Sequence, residues 1–389
     1  MSKRKILGIT GIRSEYEISH PVFNALNQHK NIDFELVASG AHLSSLHNYT
    51  IKDIKKDKFK IIDEIESLIS GNSGTSRAKG IGILIMGLTQ TIQRTKPDII
   101  FVTGDREEPL AAAIVGNYLN IPVAHLFGGD RCGHSADDPI RHSISKIAHI
   151  HFTACGDHSE RLIKMGEEKN RIFETGNPSL DNFLSCPLLS YTELLKRLEF
   201  DNPASSGPLL TVLQHPLSSE QALSYKHMEK TMEAVKDLGL KTVVIYPNSD
   251  PGSSDIIEVL QKYAKYSNIK IVKNLCRDTY INLLKNSSCL IGNSSSGLLE
   301  APFIKLPAIN IGNRQKGRRN SGNVTYIDNN AREIKNTIKN IAFDTEARNN
   351  IISKIDQYYY GKGNSSDKIV QTLLKIKINK KLLFKINSY

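Results

Sequence analysis

The sequence predicts an α/β protein made of two Rossmann-like domains with a cleft between them. Its 389 residues correspond to two or three domains at roughly 150 residues each. Short apolar runs alternate with helical segments, a pattern typical of βαβ units and parallel sheets. The runs fall into two sets, separated by a charged helical stretch around residues 190–200 and by the turn-rich segment DNPASSGP at 201–208. Each set is therefore expected to form its own sheet.

The candidate strands follow in chain order. In the first half they are KILGIT, DFELVASG, DIIFVTG, PVAHLFGG and IHFTAC. After residue 205 they are LLTVLQHP, TVVIYPN, IKIVKN, CLIGNSSS and PAINIG. Open α/β sheets bind ligands at the carboxyl ends of their strands, where several of these runs end in Gly or a polar residue. We divide the chain into an N-terminal domain of residues 1–182, a C-terminal domain of residues 183–365 and a basic tail of residues 366–389.

Two segments are predicted to be mobile. The run SGNSGTSRAKG at 70–80 is rich in Gly and Ser and is interpreted as a surface or active-site loop. In the tail, VQTLLKI has apolar residues at helical spacing, so the tail is expected to begin as a helix and then fray.

The net charge suggests a nucleic-acid partner, but the distribution of that charge and the small number of aromatic residues argue against one. The formal net charge is +11, but only 7% of residues are aromatic and there is no Trp, so few side chains can stack on bases. Six lysines and no acids lie between residue 368 and the end, which leaves +5 for the remainder. Acids cluster instead at predicted strand ends. We therefore predict no nucleic-acid partner.

Segments that cross or enter membranes are not expected. No apolar run reaches the ~20 residues of a membrane span, and the short run ILGIT is better read as a first strand than as a signal peptide. The cysteines are odd in number, widely spread and without a CxxC pair: Cys132, Cys155, Cys186, Cys276 and Cys289. We predict packing cysteines, no disulfide frame and a cytoplasmic location.

Two polar turns follow strands near the start of the chain. GITGIRSEYE places Gly8, Gly11 and Arg13 at a strand-to-helix turn, which suits an anion or is an ordinary βα connection. It matches neither GxGxxG nor GxxxxGK[ST], so the nicotinamide and P-loop fingerprints are absent. VTGDREE then brings charged residues to a strand end. They either belong to a functional site or form the start of a helix that Asp105 caps.

The segment HLFGGDRCGHSADDPIRHS concentrates titratable side chains. They are His125, Asp130, Arg131, His134, Asp137, Asp138, Arg141 and His142. Asp137 is a natural N-cap, with Pro139 in the first turn, and carboxylates at a cleft can act as general acid and base. A metal site is the alternative, but the spacing fits no familiar ligand motif, and the pair His149-x-His151 is more typical of packing or surface positions.

Small polar and basic residues follow strands in the second half. LQHP, YPNSDPGS and IGNSSSGLLE supply His215, Asn248, Ser253 and Asn293 to Ser296, with Glu300 one turn into the next helix. These groups can hold a phosphate at a helix N-terminus, or Ser simply caps that helix. INIGNRQKGRR adds Arg314, Lys316, Arg318 and Arg319, either for a pyrophosphate or as a solvated charge run. GxSxG and a Ser-His-Asp order are missing.

Taken in order, these motifs resemble the UDP-N-acetylglucosamine 2-epimerase family, in its hydrolysing branch that feeds sialic-acid- and legionaminic-acid-type sugar synthesis. The motifs that carry the resemblance are GIRSEY, GDREE, GGD with DDPIRHSISKIAH, LQHP, IGNSSSGLLE, NIGNRQKGR and YYYGKGNSS. Ser14 and Ser294–Ser296 favour the hydrolysing branch over the non-hydrolysing one. Phe127 and Asp130 depart from the family, since some members have Glu before the Gly-Gly pair and many have Glu after it.

The resemblance implies a fold of the glycosyltransferase-B type, a UDP-sugar substrate and no cofactor or metal. UDP would lie mainly on the second domain and the sugar in the cleft, in a homodimer. The implied reaction converts UDP-N-acetylglucosamine, or a 2,4-diacetamido-6-deoxy analogue, to UDP and the free 2-epimeric sugar, such as N-acetylmannosamine. A glycal intermediate forms when UDP leaves and is then rehydrated. A non-hydrolysing UDP-sugar 2-epimerase and a glycosyltransferase of the same fold are the alternatives.

The motifs and the resemblance together give the candidate site. The expected catalytic residues are Asp105, Asp137, Asp130 and His215, the last as a hydrogen-bond or proton donor to the leaving phosphate. The expected substrate-binding residues are Arg13, Arg106, Glu108, Asn248, Ser253, Asn293, Ser294, Ser295, Glu300, Arg314 and Arg318.

Overall fold

The computed structural model describes residues 3–45, 49–69, 74–131, 137–202, 204, 206–248 and 250–386. The chain divides into two compact units. The first contains the described residues up to 182 together with those from 361 onward, and the second contains residues 183–360. The segment that the sequence sets apart as a tail is thus part of the first unit, because it packs there.

In the first unit, the described residues form a parallel sheet of seven strands in the order β3-β2-β1-β4-β5-β6-β7. The strands are β1 (Arg4–Thr10), β2 (Ile32–Ser39), β3 (Ile61–Ile65), β4 (Ile99–Thr103), β5 (Val123–Leu126), β6 (Ile150–Thr153) and β7 (Ile172–Glu174). The helices are α1 (Arg13–Gln28), α2 (Ile51–Lys56), α3 (Gly74–Thr95), α4 (Glu107–Tyr118), α5 (Asp137–Ile147), α6 (Gly156–Lys164), α15 (Ser365–Lys375) and α16 (Lys380–Leu383). Helix α7 (Ser179–Ser185) runs across the point where the chain leaves this unit.

In the second unit, the described residues form a parallel sheet of six strands in the order β10-β9-β8-β11-β12-β13. The strands are β8 (Leu209–Leu213), β9 (Lys241–Ile245), β10 (Ile269–Val272), β11 (Cys289–Gly292), β12 (Ala308–Ile311) and β13 (Val324–Ile327). The helices are α8 (Tyr191–Arg197), α9 (Ser224–Leu238), α10 (Ser253–Tyr263), α11 (Arg277–Asn286), α12 (Ser296–Leu299), α13 (Ala331–Phe343) and α14 (Thr345–Ser353).

Both sheets are buried on two faces, which explains why their strands are continuous apolar runs. In the first unit, Leu84, Leu88 and Ile92 of α3 pack on one face of the sheet. On the other face, the Phe23 ring of α1 lies 5.3 Å from that of Phe34 and 6.0 Å from that of Phe101, measured between centroids. Most side chains that the strands place in these cores are therefore apolar.

Each sheet reverses its strand order at one place, between β1 and β4 in the first unit and between β8 and β11 in the second. At such a switch point the loops after the two strands diverge and leave a crevice for ligands. The turns that follow β1 and β4 are Gly11–Arg13 and Gly104–Arg106, and those after β8 and β11 carry His215 and Asn293. The fold class that the sequence predicts is confirmed, with two Rossmann-like units.

All ten predicted strands are present, and three further short strands, β3, β7 and β13, lie at sheet edges. The prediction of a loop at 70–80 is wrong from Gly74 onward, where helix α3 begins; residues 70–73 lie outside the described residues. Buried side chains at helical spacing hold this helix on the sheet. A Cβ at Gly80 would lie 2.6 Å from the Ser67 carbonyl oxygen, so this glycine permits close packing.

The expectation that the tail frays after its first helix is also wrong, as far as Ile386. Helix α15 packs on α1, and a second short helix, α16, follows it. Among the described residues, no helix is long and apolar enough to cross a membrane.

Candidate active site

Two buried glutamates lie at the glycine turns of the first sheet. A Cβ on Gly11 would stand 1.9 Å from Glu108 Cδ, and one on Gly104 would stand 2.3 Å from Glu15 Oε1. Gly104 also has a φ of +83°, a conformation that L side chains rarely adopt. Glycine is therefore required at both turns to admit the two carboxyl groups.

Burial raises the pKa of both glutamates. Burial, together with the nearby carboxylates of Glu108 and Asp105, raises the pKa of Glu15 well above its usual value. Burial and the neighbouring Glu107 carboxylate raise the pKa of Glu108 to about 7. Groups that titrate near neutrality are suited to proton transfer.

Arg141 joins the ends of two adjacent strands. From α5 its guanidinium donates through Nη2 to the Asp105 carboxylate, which follows β4. Through Nη1 it donates to the carbonyl oxygen of Phe127, just after β5, at 3.0 Å. The alternative that Asp105 caps α4 is wrong, because that helix begins at Glu107 with Arg106 at its N-cap. Asp105 is instead a partner of a buried cation.

Asp130 is buried and engaged through both oxygens. Its Oδ1 accepts from the Arg131 backbone N–H at 2.7 Å and lies 3.2 Å from His158 Nε2. Its Oδ2 lies 3.7 Å from Arg141 Nη1. Burial would lower the pKa of His158, but the Asp130 carboxylate outweighs it and raises that pKa to about 9. Asp130 is thus held by two cations.

Asp137 begins α5 and faces a basic side chain of α3. Its Oδ1 lies 4.0 Å from Arg77 Nη2, and Arg77 also forms an ion pair with Glu107 of α4. Arg106 Nε lies 3.7 Å from Glu107 Oε2. Arg77 thereby ties three helices together beside the Asp105 turn. Arg13, at the start of α1, forms an ion pair with Glu17 one turn later at 3.5 Å.

Phe127, which follows β5, has an unusual backbone. Its φ of +66° lies in the left-handed region although it is not glycine. The conformation is fixed by its N–H, which donates to the Phe152 carbonyl at 2.9 Å, and by the bond that its own carbonyl accepts from Arg141. Its ring is buried. An apolar side chain is therefore locked directly after β5.

In the second unit, His215 is held as a neutral ring. Burial, and next the Arg314 guanidinium, lower the pKa of His215 to about 3. The Asn248 backbone N–H donates to its Nδ1 at 3.0 Å, so the ring proton is on Nε2. His215 and Asn293 also exchange two hydrogen bonds, His215 N to Asn293 Oδ1 at 2.7 Å and Asn293 Nδ2 to the His215 carbonyl at 2.8 Å. The Nε2–H remains the ring's donor.

Arg314 lies over the same switch point. Its Nη1 donates to the Asn293 carbonyl at 3.0 Å, and Gln315 Nε2 donates to the same oxygen at 2.9 Å. His215, Asn293 and Arg314 line one pocket. The four basic residues of the INIGNRQKGRR segment do not all converge there, because the Arg319 guanidinium stacks on the Tyr359 ring at 4.4 Å. Arg318 donates to Gln315 Oε1 at 2.9 Å and so braces the turn.

The serine-rich turn after β11 differs from the predicted helix start. Helix α12 covers only Ser296–Leu299, and Glu300 follows it rather than lying one turn inside. Pro302 prevents an α-helix from continuing. Ser296 Oγ donates to Glu300 Oε2 at 2.5 Å and lies 2.7 Å from Tyr280 Oη. Glu300 is therefore held by a buried hydroxyl pair, while the Ser294 hydroxyl accepts from the Ser296 N–H at 3.3 Å.

The remaining predicted residues lie around the β9 turn. The Asn248 side-chain amide donates to the Asp250 carboxylate, and Ser253 begins α10 with its N–H on the Asp250 carbonyl at 3.0 Å. Several partners were not assigned from the sequence: Glu15, Arg77, Glu107, Arg141, His158, Tyr280 and Gln315. Glu15, Glu107, His158 and Gln315 closely follow predicted strands, and that position could have indicated them. The other three lie within helices α3, α5 and α11 and carry no such signal. Among the described residues, no group of three or more His, Cys, Asp or Glu side chains is arranged to hold a metal ion.

The fold and these sites define a class of protein. One α/β unit carries buried acid–base groups at its switch point, and the other carries a neutral histidine, amides and an arginine suited to an anionic group. This combination is that of an enzyme with a nucleotide-like substrate.

Comparison with known proteins gives the family. The family model for UDP-N-acetylglucosamine 2-epimerase matches residues 24–374. The UDP-N,N'-diacetylbacillosamine 2-epimerase (hydrolyzing) of Legionella pneumophila is 35% identical over 99% of this chain and 100% of its own length. The GDP/UDP-N,N'-diacetylbacillosamine 2-epimerase (hydrolyzing) of Campylobacter jejuni is 33% identical over 83% of this chain and 84% of its own. The chain belongs to the UDP-N-acetylglucosamine 2-epimerase family.

The fold is shared with solved structures as well. The UDP-GlcNAc 2-epimerase of Neisseria meningitidis bound to UDP-GlcNAc superposes with a TM-score of 0.78, at 20% identity over 96% of this chain and 100% of that one.

Proposed function

We propose that this chain is a hydrolysing 2-epimerase of a UDP-linked 2-acetamido sugar, releasing UDP and the free 2-epimeric sugar. The observation that carries the proposal is the Arg141 guanidinium, which brings together Asp105 and Asp130 in the unit that also holds the buried glutamates Glu15 and Glu108. Two relatives whose names include "hydrolyzing" support this branch of the family.

The proposed reaction has two stages. First, the C1–O bond to UDP breaks and a carboxylate takes the C2 proton, which leaves a glycal with a C1–C2 double bond. Second, water adds its oxygen to C1 and a proton returns to C2 from the opposite face. The net change consumes one water and inverts C2. Groups on both faces of the ring must therefore exchange protons.

We assign the proton transfers to Asp105 and Asp137, which come from separate strand-end loops. The Arg141 guanidinium holds the Asp105 carboxylate at the end of β4. Asp130 orients Arg141 rather than touching the sugar, because both of its oxygens already have cationic or N–H partners. Glu108, with a pKa raised to about 7 by burial and Glu107, holds a proton that can be returned at neutral pH. Arg13 and Arg106 complete the sugar-facing set.

Departure of UDP requires stabilisation of the negative charge that develops on its β-phosphate. His215 is assigned a hydrogen bond from Nε2–H rather than proton transfer, because its pKa is lowered to about 3 by burial and Arg314. Arg314 supplies the positive charge, with Asn293 and the serine turn holding the diphosphate. The remaining nucleotide contacts are assigned to Asn248, Ser253, Ser294, Ser295, Glu300 and Arg318.

The sugar that we favour is the 2,4-diacetamido-6-deoxy one, with UDP-N-acetylglucosamine as the second candidate. The two relatives of highest identity given above are named for diacetylbacillosamine. The buried Phe127 ring, where some members of the family have Glu, suits a sugar with a 6-methyl group in place of a hydroxyl.

The homodimer and the cytoplasmic location remain predictions. Sedimentation analysis checks the oligomeric state, and cell fractionation checks the location.

The deciding experiment is a proton NMR time course in D₂O with each nucleotide sugar. We expect UDP and a free sugar with deuterium at C2, formed faster from the diacetamido substrate. A product that stays attached to UDP would identify a non-hydrolysing epimerase. No reaction until a sugar acceptor is added would identify a glycosyltransferase.

A further inference from the structure

Three basic side chains fix the C-terminal segment after α15 to the first unit. Arg4 Nη1 donates to carbonyl oxygens at the end of α15, at 2.9 and 3.0 Å. Arg171, which is buried, donates to two carbonyl oxygens of α16, each at 2.7 Å. Lys385 belongs to the segment itself and donates hydrogen bonds to carbonyl oxygens elsewhere in the first unit. The match to the family model ends at residue 374, so these contacts of α16 and Lys385 lie beyond it.

Lys385 closes the carboxyl end of helix α5. Its ammonium donates to the carbonyl oxygens of Ser145 at 3.2 Å, Lys146 at 2.8 Å and Ala148 at 2.8 Å. The last carbonyls of a helix have no partners within the helix. A cation there also interacts favourably with the negative end of the helix dipole. Only 14% of the Lys385 side chain is exposed. The contact is thus a buried cap supplied from 240 residues away in sequence.

The same ammonium meets a buried carboxylate. Lys385 Nζ lies 2.5 Å from Glu167 Oε2, which also lies 3.0 Å from His151 Nε2. Glu167 Oε1 lies 2.9 Å from the Lys146 ammonium, and the Glu167 side chain is fully buried. Removing Lys385 would leave this carboxylate with less compensating charge, which is costly in a buried network.

Helix α5 connects this network to the active site. Arg141 lies one turn before Ser145, whose Oγ donates to the Arg141 carbonyl at 3.0 Å. The Arg141 side chain in turn holds Asp105. The position of the carboxyl end of α5 therefore sets where the guanidinium stands, and small displacements of such groups reduce catalysis.

We propose that the C-terminal segment is a positioning element for α5, and that Lys385 is the positioning residue that keeps Arg141 on Asp105. The catalytic consequence rests on the proposed function. The contact itself does not.

The test uses the full-length enzyme with Lys385→Met, which keeps most of the length of the side chain and removes its charge. Lys381→Met, an exposed lysine of the same segment, is the matched control. We expect kcat to fall about tenfold in Lys385→Met, with KM and the Kd for UDP within about twofold of wild type. Lys381→Met should resemble wild type, and Lys385→Arg should restore part of kcat. In an Arg141→Met background, Lys385→Met should cause no further loss.

Hydrogen exchange separates this proposal from the proposed function. Amides 143–148 should exchange faster in Lys385→Met than in wild type, whether or not the enzyme turns over UDP-sugars. If exchange in Lys385→Met is unchanged, Lys385 does not cap α5. If the wild type is active and the variant exchanges faster but keeps its kcat, the link between Lys385 and Arg141 is wrong. An equal loss of UDP binding and kcat would also reject that link. A wild type without epimerase activity overturns the proposed function while exchange still decides on the cap.

Discussion

The guanidinium of Arg141 and the carboxylate of Asp105 form a buried ion pair between helix α5 and the end of β4. The pair holds the carboxylate of the proposed base at the end of β4. Neither residue belongs to the unit that carries His215 and Arg314. Chemistry and nucleotide binding should therefore respond separately to mutation.

The first prediction concerns this pair. Asp105→Asn and Arg141→Met should each lower kcat by about 100-fold or more, because a preorganised charge beside the reacting atoms is lost. The Kd for UDP, measured by calorimetry, should stay within about twofold of wild type. Arg94→Met is the control, since Arg94 is an exposed arginine of α3 paired with Asp63. Wild-type turnover in Asp105→Asn would remove Asp105 from the mechanism.

A second prediction follows from the contact between Gly11 and Glu108. Gly11→Ala would place a methyl group 1.9 Å from Glu108 Cδ, so stability should fall by about 1–3 kcal/mol. The double variant Gly11→Ala, Glu108→Ala should recover stability beyond the sum of the single changes but stay inactive. Gly82→Ala is the control, because its Cβ would meet no atom within 4 Å. Additive losses in urea unfolding would contradict the contact.

The third prediction is a pH dependence of stability. Burial and Glu107 raise the pKa of Glu108 to about 7 in the folded protein, against ~4.3 when unfolded. Between these values the folded state binds more protons, so Glu108 stabilises the protein at low pH and this stabilisation is lost as pH rises. The loss amounts to at most about 4 kcal/mol.

The comparison that isolates this effect is wild type against Glu108→Gln, by urea unfolding from pH 4.5 to 7.5. Other titrating groups, such as His158 and Glu167, are common to both proteins and cancel in the difference. The advantage of wild type should shrink steadily with rising pH. A difference that does not change with pH would show that Glu108 keeps an ordinary pKa.

The sequence predicts the strands and their ends well, because apolar runs and the turns after them are local signals. It identifies Asp105 and His215 as residues beside strand ends, and their positions follow from the parallel order of the sheets. Partners such as Arg141 are set by how helices pack, 36 residues away from Asp105. No local sequence pattern shows that Arg141 and Asp105 are in contact.

Burial is equally invisible in the sequence. Glu15 lies in an acidic, polar motif typical of an exposed first turn, yet the absence of a Cβ at Gly104 leaves space for its carboxyl group. For the same reason, the sequence predicts that the lysine-rich tail frays after its first helix. Lys385 is buried only because the end of α5 and Glu167 present acceptors that the linear pattern does not show.

The last prediction tests the nucleotide side through Tyr280 and Glu300. The Tyr280 hydroxyl lies 2.7 Å from Ser296 Oγ, which donates to Glu300 Oε2 at 2.5 Å. Tyr280→Phe removes one member of this buried chain and should loosen Glu300 by about 1 kcal/mol, which weakens UDP binding roughly fivefold. KM should rise by a similar factor and kcat should stay within about twofold, since no acid–base group of the first unit is touched. Tyr326→Phe, at a half-exposed ring on β13, is the control. A fall in kcat at unchanged UDP affinity would place Glu300 with the chemistry instead of the nucleotide.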